Sequence, residues 1–210
     1  MLEVEDLVKT YPGASQPVIN GLSFAVEAGE LLWVSGPSGS GKSTLLNVLG
    51  LLTVADSGSY RIDGAEMLGA TKSARRQARS TVVSTIFQRG NLFAHLSAID
   101  NVLVGMTAGT KQDALHHLDA VGLASKAHQR AGLLSGGEQE RVAIARAAAR
   151  RTPILLADEP VAGLDDHNAT KVMELLVTAA RSGVAVVVVS HDDRTADVAT
   201  SKLTLAGAVA

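Results

Sequence analysis

The amino-acid sequence predicts an α/β fold in which helices cover a mainly parallel β-sheet. Helical and strand-like segments alternate between residues 42 and 189. Two of the strand-like runs, residues 154–157 and 184–189, are almost purely apolar, which is typical of parallel strands covered by helices on both faces. We therefore place these two strands at the centre of the sheet.

The first sixty residues predict a small N-terminal antiparallel β subdomain. Short β-suited runs occur near residues 2–4, 24–26 and 31–34, and Pro12-Gly13, Gly21 and Gly29 bound them.

The rest of the chain predicts helices at residues 42–49, 113–121, 137–150 and 168–180, and further strands at residues 82–87 and 203–205. Residues 89–150 lack a comparable strand and have a mostly helical pattern. We interpret them as a helical subdomain inserted between two portions of one sheet. Residues 1–210 as a whole are interpreted as a single domain, because domains most often have about 100 to 150 residues.

Composition excludes several classes of function. The longest apolar run, residues 184–189, is far shorter than the roughly 20 residues that cross a bilayer, and residues 1–10 show no secretory signal pattern. We therefore expect a cytoplasmic location. The chain has no cysteine, which excludes a disulfide framework, and its formal charge of -2 offers no electrostatic drive toward nucleic acid, so no nucleic-acid partner is expected.

A glycine-rich segment between the strand at 31–34 and the helix at 42–49 predicts a phosphate-binding loop. It consists of Gly36, Pro37, Ser38, Gly39, Ser40, Gly41, Lys42, Ser43 and Thr44. Glycines let backbone N–H groups approach phosphate oxygens, Lys42 adds a positive charge, and the Ser43 hydroxyl is suited to Mg²⁺. The alternative, a Gly/Ser-rich turn that matches by chance, is disfavoured by the flanking strand and helix.

Two carboxylates follow the apolar strand at 154–157. Asp158 and Glu159 emerge at the carboxyl end of a strand, where open α/β sheets bind ligands. Asp158 is suited to the Mg²⁺ shell and Glu159 to polarising an attacking water. A solvated strand end before Pro160 is the alternative, and the phosphate-binding loop argues against it.

The segment 134–139 precedes the helix at 137–150 and contains Ser135, Gly136, Gly137 and Glu138. Ser135 and Glu138 have capping-box spacing, which by itself explains a helix start. The two glycines add bare N–H groups at the positive end of the helix, which favours an anion site. Both interpretations can hold together.

Residues 134–139 resemble the signature sequence of ABC ATPases, and they lie between the phosphate-binding loop and Asp158-Glu159 in that family's order. The resemblance implies ATP and Mg²⁺ as ligands and hydrolysis that depends on Lys42 and Glu159. It also implies that Ser135 to Glu138 of one copy close over ATP held by a second copy, in a homodimer.

The same resemblance extends to four further residues. Gln88 is similar to the family's glutamine that ligates Mg²⁺ and senses the membrane partner, and Asp165, in residues 162–165, is similar to a residue at the dimer seam. His191 is similar to the switch histidine that contacts the γ-phosphate. Tyr11 resembles the aromatic residue that stacks on adenine. Without the family, His191 would be interpreted as a loop histidine, and Tyr11 beside Pro12-Gly13 as part of an ordinary turn.

The resemblance implies the ATPase subunit of a membrane transporter at the cytoplasmic face of the cell membrane, partnered by an integral membrane permease. Residues 138–147 are most similar to macrolide-exporter and lipoprotein-releasing ATPases, while residues 169–176 and 191–194 resemble haem-exporting ATPases. The alternative explanation of the latter similarity is shared ancestry among related exporters, with no bearing on cargo. The alternative function is an ATPase that actuates a membrane protein in signalling or cell division without transport.

Two basic clusters and one histidine pair are interpreted as surface features. The arginines at 75, 76 and 79 and those between 141 and 151 are expected on solvated helix faces, and His116-His117 on the surface. Val161 stands where the family often has Thr or Ser, and no proline occurs in residues 129–133.

Overall fold

The computed structural model describes residues 1–87 and 92–206. The strands in these residues are β1 Leu2–Lys9, β2 Ile19–Val26, β3 Leu31–Ser35, β4 Ser57–Ile62, β5 Ala65–Glu66, β6 Val83–Ile86, β7 Ile154–Asp158, β8 Ala185–Val189 and β9 Ser201–Thr204. The α-helices are α1 Lys42–Leu49, α2 Lys72–Thr81, α3 Ala98–Gly105, α4 Lys111–Ala120, α5 Gly136–Ala149, α6 Asp166–Arg181 and α7 Arg194–Val198.

The larger sheet is parallel and has the strand order β6-β7-β8-β3-β9. The apolar strands β7 and β8 are internal, as predicted, and every residue of β8 is buried. Alternate side chains of β8 enter two different cores, Val186 and Val188 on one face of the sheet and Val187 and Val189 on the other. Burial on both faces explains why β8 shows a continuous apolar run instead of alternation.

The smaller sheet is antiparallel and has the order β2-β1-β4-β5. The predicted antiparallel subdomain is therefore confirmed, with one correction. β3, which the sequence grouped with the opening strands, pairs with β8 and β9 in the parallel sheet instead. Leu31 to Val34 are all buried, so β3 has the two covered faces of a central strand.

Between β6 and β7, the described residues form α3, α4, α5 and two short 3-10 turns, Ala124–Lys126 and Ala131–Leu133. The three helices bury a shared apolar face, with Val102 on α3, Leu118 on α4 and Val142 on α5 fully buried. This agrees with the expected inserted helical subdomain. The interpretation of residues 1–210 as one domain stays a prediction.

Helix α2 was not predicted, because none of its residues is buried and its only apolar side chains are Ala74 and Ala78. The arginines are also less solvated than predicted. Arg79 donates to the carbonyl of Leu51 at 2.7 Å, Arg150 donates to the carbonyl of Ser80 at 2.6 Å, and Arg141 is buried. Arg79 and Arg150 are half-buried and bond to backbone carbonyls, so the prediction of a solvated helix face is wrong only for the buried Arg141 among these three. Within the described ranges, no helix is both long and apolar enough to cross a membrane.

Candidate functional site

Three neighbouring strands of the parallel sheet end at one cleft. β3 leads into the glycine-rich loop, β7 ends at Asp158, and β8 is followed by Ser190 and His191. The cleft has a volume of about 620 Å³ and is lined by Val18, Ser38, Gly39, Gly41, Lys42, Ser43, Thr44, Asp158, Glu159, Ala162, Val189 and His191. The fold thus brings together the loop, the two carboxylates and the histidine that the sequence singled out separately.

The loop conformation requires glycine at two positions. Gly41 has a φ of 92°, and a Cβ built on it would lie 2.7 Å from the carbonyl oxygen of Val18. Gly36 has a φ of 150°, and its Cβ would lie 2.6 Å from the carbonyl oxygen of Leu205. Only a residue without a side chain fits both the backbone angle and the space. The loop is therefore packed tightly against the residues that follow β9 and those before β2.

Lys42 supplies a positive charge at the mouth of this loop. It is buried, and its Nζ donates to the carbonyl oxygens of Gly36 at 2.7 Å and Pro37 at 2.8 Å. Lys42 is also the first residue of α1, so the positive end of the helix macrodipole and its free N–H groups lie at the same place. Ammonium, helix end and backbone N–H groups together form a site for a phosphate chain.

Asp158 and Ser43 place two oxygen ligands side by side. The Ser43 hydroxyl donates to the Asp158 carboxylate. Burial raises the pKa of Asp158, and the adjacent charge of Glu159 raises it further. A cation at this position would offset the cost of ionising the buried Asp158 beside Glu159. A hydroxyl together with a carboxylate is a donor set that fits Mg²⁺. Within residues 1–87 and 92–206, no group of three or more His, Cys, Asp or Glu is placed to hold a metal ion.

Glu159 is held in a strained conformation beside His191. Its φ is 49°, an angle that non-glycine residues adopt only at a cost of about 1–2 kcal/mol. Its backbone N–H donates to the carbonyl of Val189 at 2.9 Å. Its carboxylate accepts from the backbone N–H of His191 at 3.3 Å, and His191 Nε2 lies 3.5 Å from Glu159 Oε1. This geometry fixes one carboxylate at the cleft, where it can accept a proton from water.

Tyr11 and Thr44 lie at the border of the site. The Tyr11 hydroxyl is 3.4 Å from Thr44 Oγ1, and the residue is 42% exposed. The side chain therefore stands beside the first turn of α1 and is open to solvent. This position leaves the ring available to a base, and the stacking role of Tyr11 stays a prediction.

The signature residues 135–138 lie away from this cleft, at the start of α5. Ser135 caps α5, and the predicted capping box is confirmed, with Ser135 N–H donating to Glu138 at 3.0 Å. Glu138 also pairs with Lys126. None of residues 135–138 is among those that line the cleft. Gly137 lies near Leu164, and Asp165, one residue further on, caps α6 by accepting from the backbone N–H of Asn168 at 2.9 Å.

Gln88 lies outside the described residues. The sequence did not identify Val18, Ala162 and Val189 as lining residues, nor the contact in which Trp33 Nε1 donates to the carbonyl of Ser190 at 3.0 Å. Trp33 could have been noticed as the chain's single tryptophan in the strand that leads into the loop. Val18 had no such signal, because only the fold places it against Gly41.

Comparison with known sequences agrees with this arrangement. Residues 19–162 match the profile of the family described as ABC transporter. The chain is 37% identical, over 98% of its length, to the macrolide export ATP-binding/permease protein MacB of Chlorobaculum tepidum, of which it covers 33%. It is 41% identical, over 86% of its length, to the lipoprotein-releasing system ATP-binding protein LolD of Anaeromyxobacter dehalogenans, of which it covers 79%. The chain thus spans about a third of the MacB relative.

Comparison with solved structures also identifies an ATP-binding cassette as a similar protein. The fold superposes on the dimeric ATP-binding cassette MJ0796 bound to ADP and Pi, in a post-hydrolysis state, with a TM-score of 0.88. The two sequences are 32% identical, and the match covers 98% of this chain and 94% of that one.

Proposed function

Because the chain belongs to the ABC transporter family as an ABC ATPase, we propose that it powers a membrane exporter of the macrolide-export or lipoprotein-release type. The observation that carries this proposal is the convergence of Lys42, the Ser43–Asp158 pair and the Glu159–His191 pair in one cleft. A phosphate-binding loop, a cation site and a base are the parts that ATP hydrolysis needs.

In the proposed mechanism, Lys42 and the N–H groups at the start of α1 bind the β- and γ-phosphates of ATP. Ser43 and Asp158 would hold Mg²⁺, with Gln88 as a further ligand, and the bound ion would neutralise charge on the phosphates. Glu159 orients the attacking water and takes its proton. His191, 3.5 Å from Glu159, is placed to contact the γ-phosphate and to keep the carboxylate in position.

The direct test of this mechanism is Glu159→Gln, which keeps the side chain's shape but removes its basicity. ATP affinity should stay the same, while turnover should fall about 100-fold or more, since general base catalysis contributes about 10²–10⁴-fold. Phosphate release and calorimetric ATP binding measure the two quantities. An unchanged rate of phosphate release would remove Glu159 from the mechanism.

We infer that the active unit is a homodimer. Gly136 is exposed at the start of α5, and a Cβ built on it would meet no neighbouring atom within 4 Å, so the bare N–H groups of this helix end are open to a ligand. They do not line their own chain's cleft. A second copy placed head to tail would bring Ser135 and Gly137 over ATP held by Lys42 of the first. The dimeric form of the similar cassette MJ0796 supports this arrangement.

The permease partner is proposed to bind a groove that we call the α3 groove, of about 540 Å³, between the parallel sheet and α3. Exposed apolar side chains lie along it: Leu52 at 51%, Phe87 at 40%, Phe93 at 46% and Val104 at 58% exposure. Phe87 directly precedes Gln88, the residue that the family resemblance assigns to sensing the membrane partner. Apolar exposure of this extent suits an amphipathic segment of a permease. This contact would hold the chain at the cytoplasmic face of the membrane.

The identity of the transported cargo is the most specific part of the proposal. Haem remains a candidate on the similarity of residues 169–176 and 191–194 to haem-exporting ATPases. The first segment lies in α6, where Val172 and Leu176 are fully buried, the second adjoins the ATP site, and the chain has no cysteine to ligate haem iron. The cargo site is therefore proposed to lie in the permease.

Reconstitution of the ATPase with its permease in lipid tests the cargo proposal. Haemin, a macrolide or a lipoprotein should stimulate hydrolysis if it is the cargo, and no response to haemin would remove haem from consideration. A membrane partner that responds to ATP but moves none of them would favour the alternative function in signalling or cell division.

A further inference from the structure

The loop that carries His191 is fixed from the interior of the protein by Trp33. This tryptophan lies on β3, is 6% exposed, and its indole Nε1 donates to the carbonyl oxygen of Ser190 at 3.0 Å. Ser190 is the first residue after β8, is fully buried, and its hydroxyl accepts from the backbone N–H of Asp192 at 2.9 Å. The indole of Trp33 therefore bonds to the residue just beyond the end of the neighbouring strand β8, in the segment that leads into the cleft.

The peptide group between Ser190 and His191 links Trp33 to Glu159. Its carbonyl oxygen accepts the indole bond, and its N–H donates to Glu159 Oε2 at 3.3 Å. A peptide group is planar and trans, so its C=O and N–H point in opposite directions and cannot turn independently. Fixing the carbonyl therefore also fixes the N–H that binds the Glu159 carboxylate, and the Cα from which the His191 side chain extends.

From this geometry we propose that Trp33 is a positioning residue for ATP hydrolysis, acting through the Ser190–His191 peptide on the Glu159 carboxylate. The proposal rests on the proposed role of Glu159 as base. Trp33 does not line the cleft, so it has no contact with a nucleotide bound there. Its loss should therefore affect turnover and leave ATP binding unchanged.

The test is Trp33→Phe, which keeps an aromatic ring at this buried position but removes the indole N–H together with part of the ring volume. We expect kcat to fall about tenfold, because small misplacements of catalytic groups are costly, while KM and calorimetric ATP affinity stay within about twofold. A kcat within about twofold of the parent protein would overturn the proposal.

Two matched controls separate positioning from packing. Lys202 Nζ lies 4.2 Å from the Trp33 ring centroid, so Lys202→Met alters the environment of the indole but leaves its hydrogen bond intact. Leu31 lies on the same strand and is buried, so Leu31→Val removes core volume without touching Ser190. Both variants should keep the parent kcat, even where Leu31→Val lowers stability. A loss in either control equal to that of Trp33→Phe would mean that packing alone explains the effect.

A double-mutant comparison with Glu159→Gln identifies the route. If Trp33 acts through Glu159, adding Trp33→Phe to Glu159→Gln should not slow the residual single-turnover rate further. The same fold-loss in both backgrounds would show a general structural effect and overturn the proposal. If Glu159→Gln alone hydrolyses ATP at the parent rate, the proposed function fails together with this inference. A slow Glu159→Gln with a normal Trp33→Phe overturns the inference alone.

Discussion

Gly41 offers a test of how tightly the phosphate-binding loop is packed. An alanine there would meet two penalties, since φ is 92° and the new Cβ would lie 2.7 Å from the carbonyl oxygen of Val18 and 3.3 Å from its Cγ2. Gly39 provides the matched control. Its φ is 79°, and a Cβ there would have no neighbour within 4 Å. Gly39→Ala therefore carries the backbone penalty without the clash.

The magnitude follows from the difference between the two variants. The left-handed backbone conformation destabilises each alanine variant by about 1–2 kcal/mol. In both variants, alanine also lowers the conformational entropy of the unfolded chain, which stabilises the folded protein by about 0.4–1 kcal/mol. These contributions cancel in the comparison. What remains for Gly41→Ala is the forced shift of Val18, and overpacking of this kind costs about 1–3 kcal/mol.

Urea unfolding without nucleotide measures this difference, because the free energy of unfolding is obtained by linear extrapolation for both variants. We expect Gly41→Ala to be less stable than Gly39→Ala by about 1–3 kcal/mol. Since Val18 lines the cleft, Gly41→Ala should also weaken ATP binding. Equal stabilities within about 0.5 kcal/mol, the usual size of a neutral substitution, would refute the packing argument.

Three further predictions concern charge and partner binding. Lys42→Ala should weaken ATP affinity, measured by calorimetry, because it deletes the charge that faces the phosphates; unchanged affinity would contradict that assignment. Asp158→Asn should stabilise the Mg²⁺-free protein against urea at neutral pH but not under acidic conditions, because the folded-state pKa of Asp158 is raised and its ionisation costs stability as pH rises through that pKa. A gain that is equal under both conditions would count against the buried charge as its cause. Val104→Asp in the α3 groove should abolish co-purification with the permease at an unchanged basal ATPase rate, whereas Val198→Asp, an exposed position outside the groove, should not. Retention of the permease by Val104→Asp would place the contact elsewhere.

Much of the fold was predictable where one local rule dominated. Helix α1 begins at Lys42, as predicted, because the glycine-rich loop leaves the chain there with free N–H groups that start a helix. The continuous apolar run of β8 correctly indicated a central parallel strand. The spacing of Ser135 and Glu138 correctly predicted the capping box at the start of α5.

Other features depend on tertiary contacts that no local pattern encodes. Helix α2 buries no residue and has only two apolar side chains, both alanine, which are too few to be recognised as an apolar face. Arg141 belongs to a basic cluster in the sequence but is buried in the fold. The φ of Glu159 and the contact between Trp33 and Ser190 arise only when β3, β7 and β8 lie side by side. The sequence therefore identified several of the residues that line the cleft, but not the contacts that orient them.

Mixing two inactive variants tests the central claim, a composite site shared by two copies, most directly. Lys42→Ala removes the phosphate-binding charge from one copy, and Ser135→Arg blocks the signature of the other. Each homodimer then has two defective sites, whereas a mixed dimer keeps one intact site. The matched control mixes Lys42→Ala with Glu159→Gln, whose defects lie on the same side of the site, so that no intact site forms.

The rate of phosphate release in an equal mixture of Lys42→Ala and Ser135→Arg protein is the measurement that tests the composite site. Half of the dimers in such a mixture are mixed and each has one of two sites, so we expect about a quarter of the parent activity for a symmetric dimer. The control mixture should stay inactive. Activity in the first mixture no higher than in either variant alone, with mixed dimers shown to be present, would contradict the composite site.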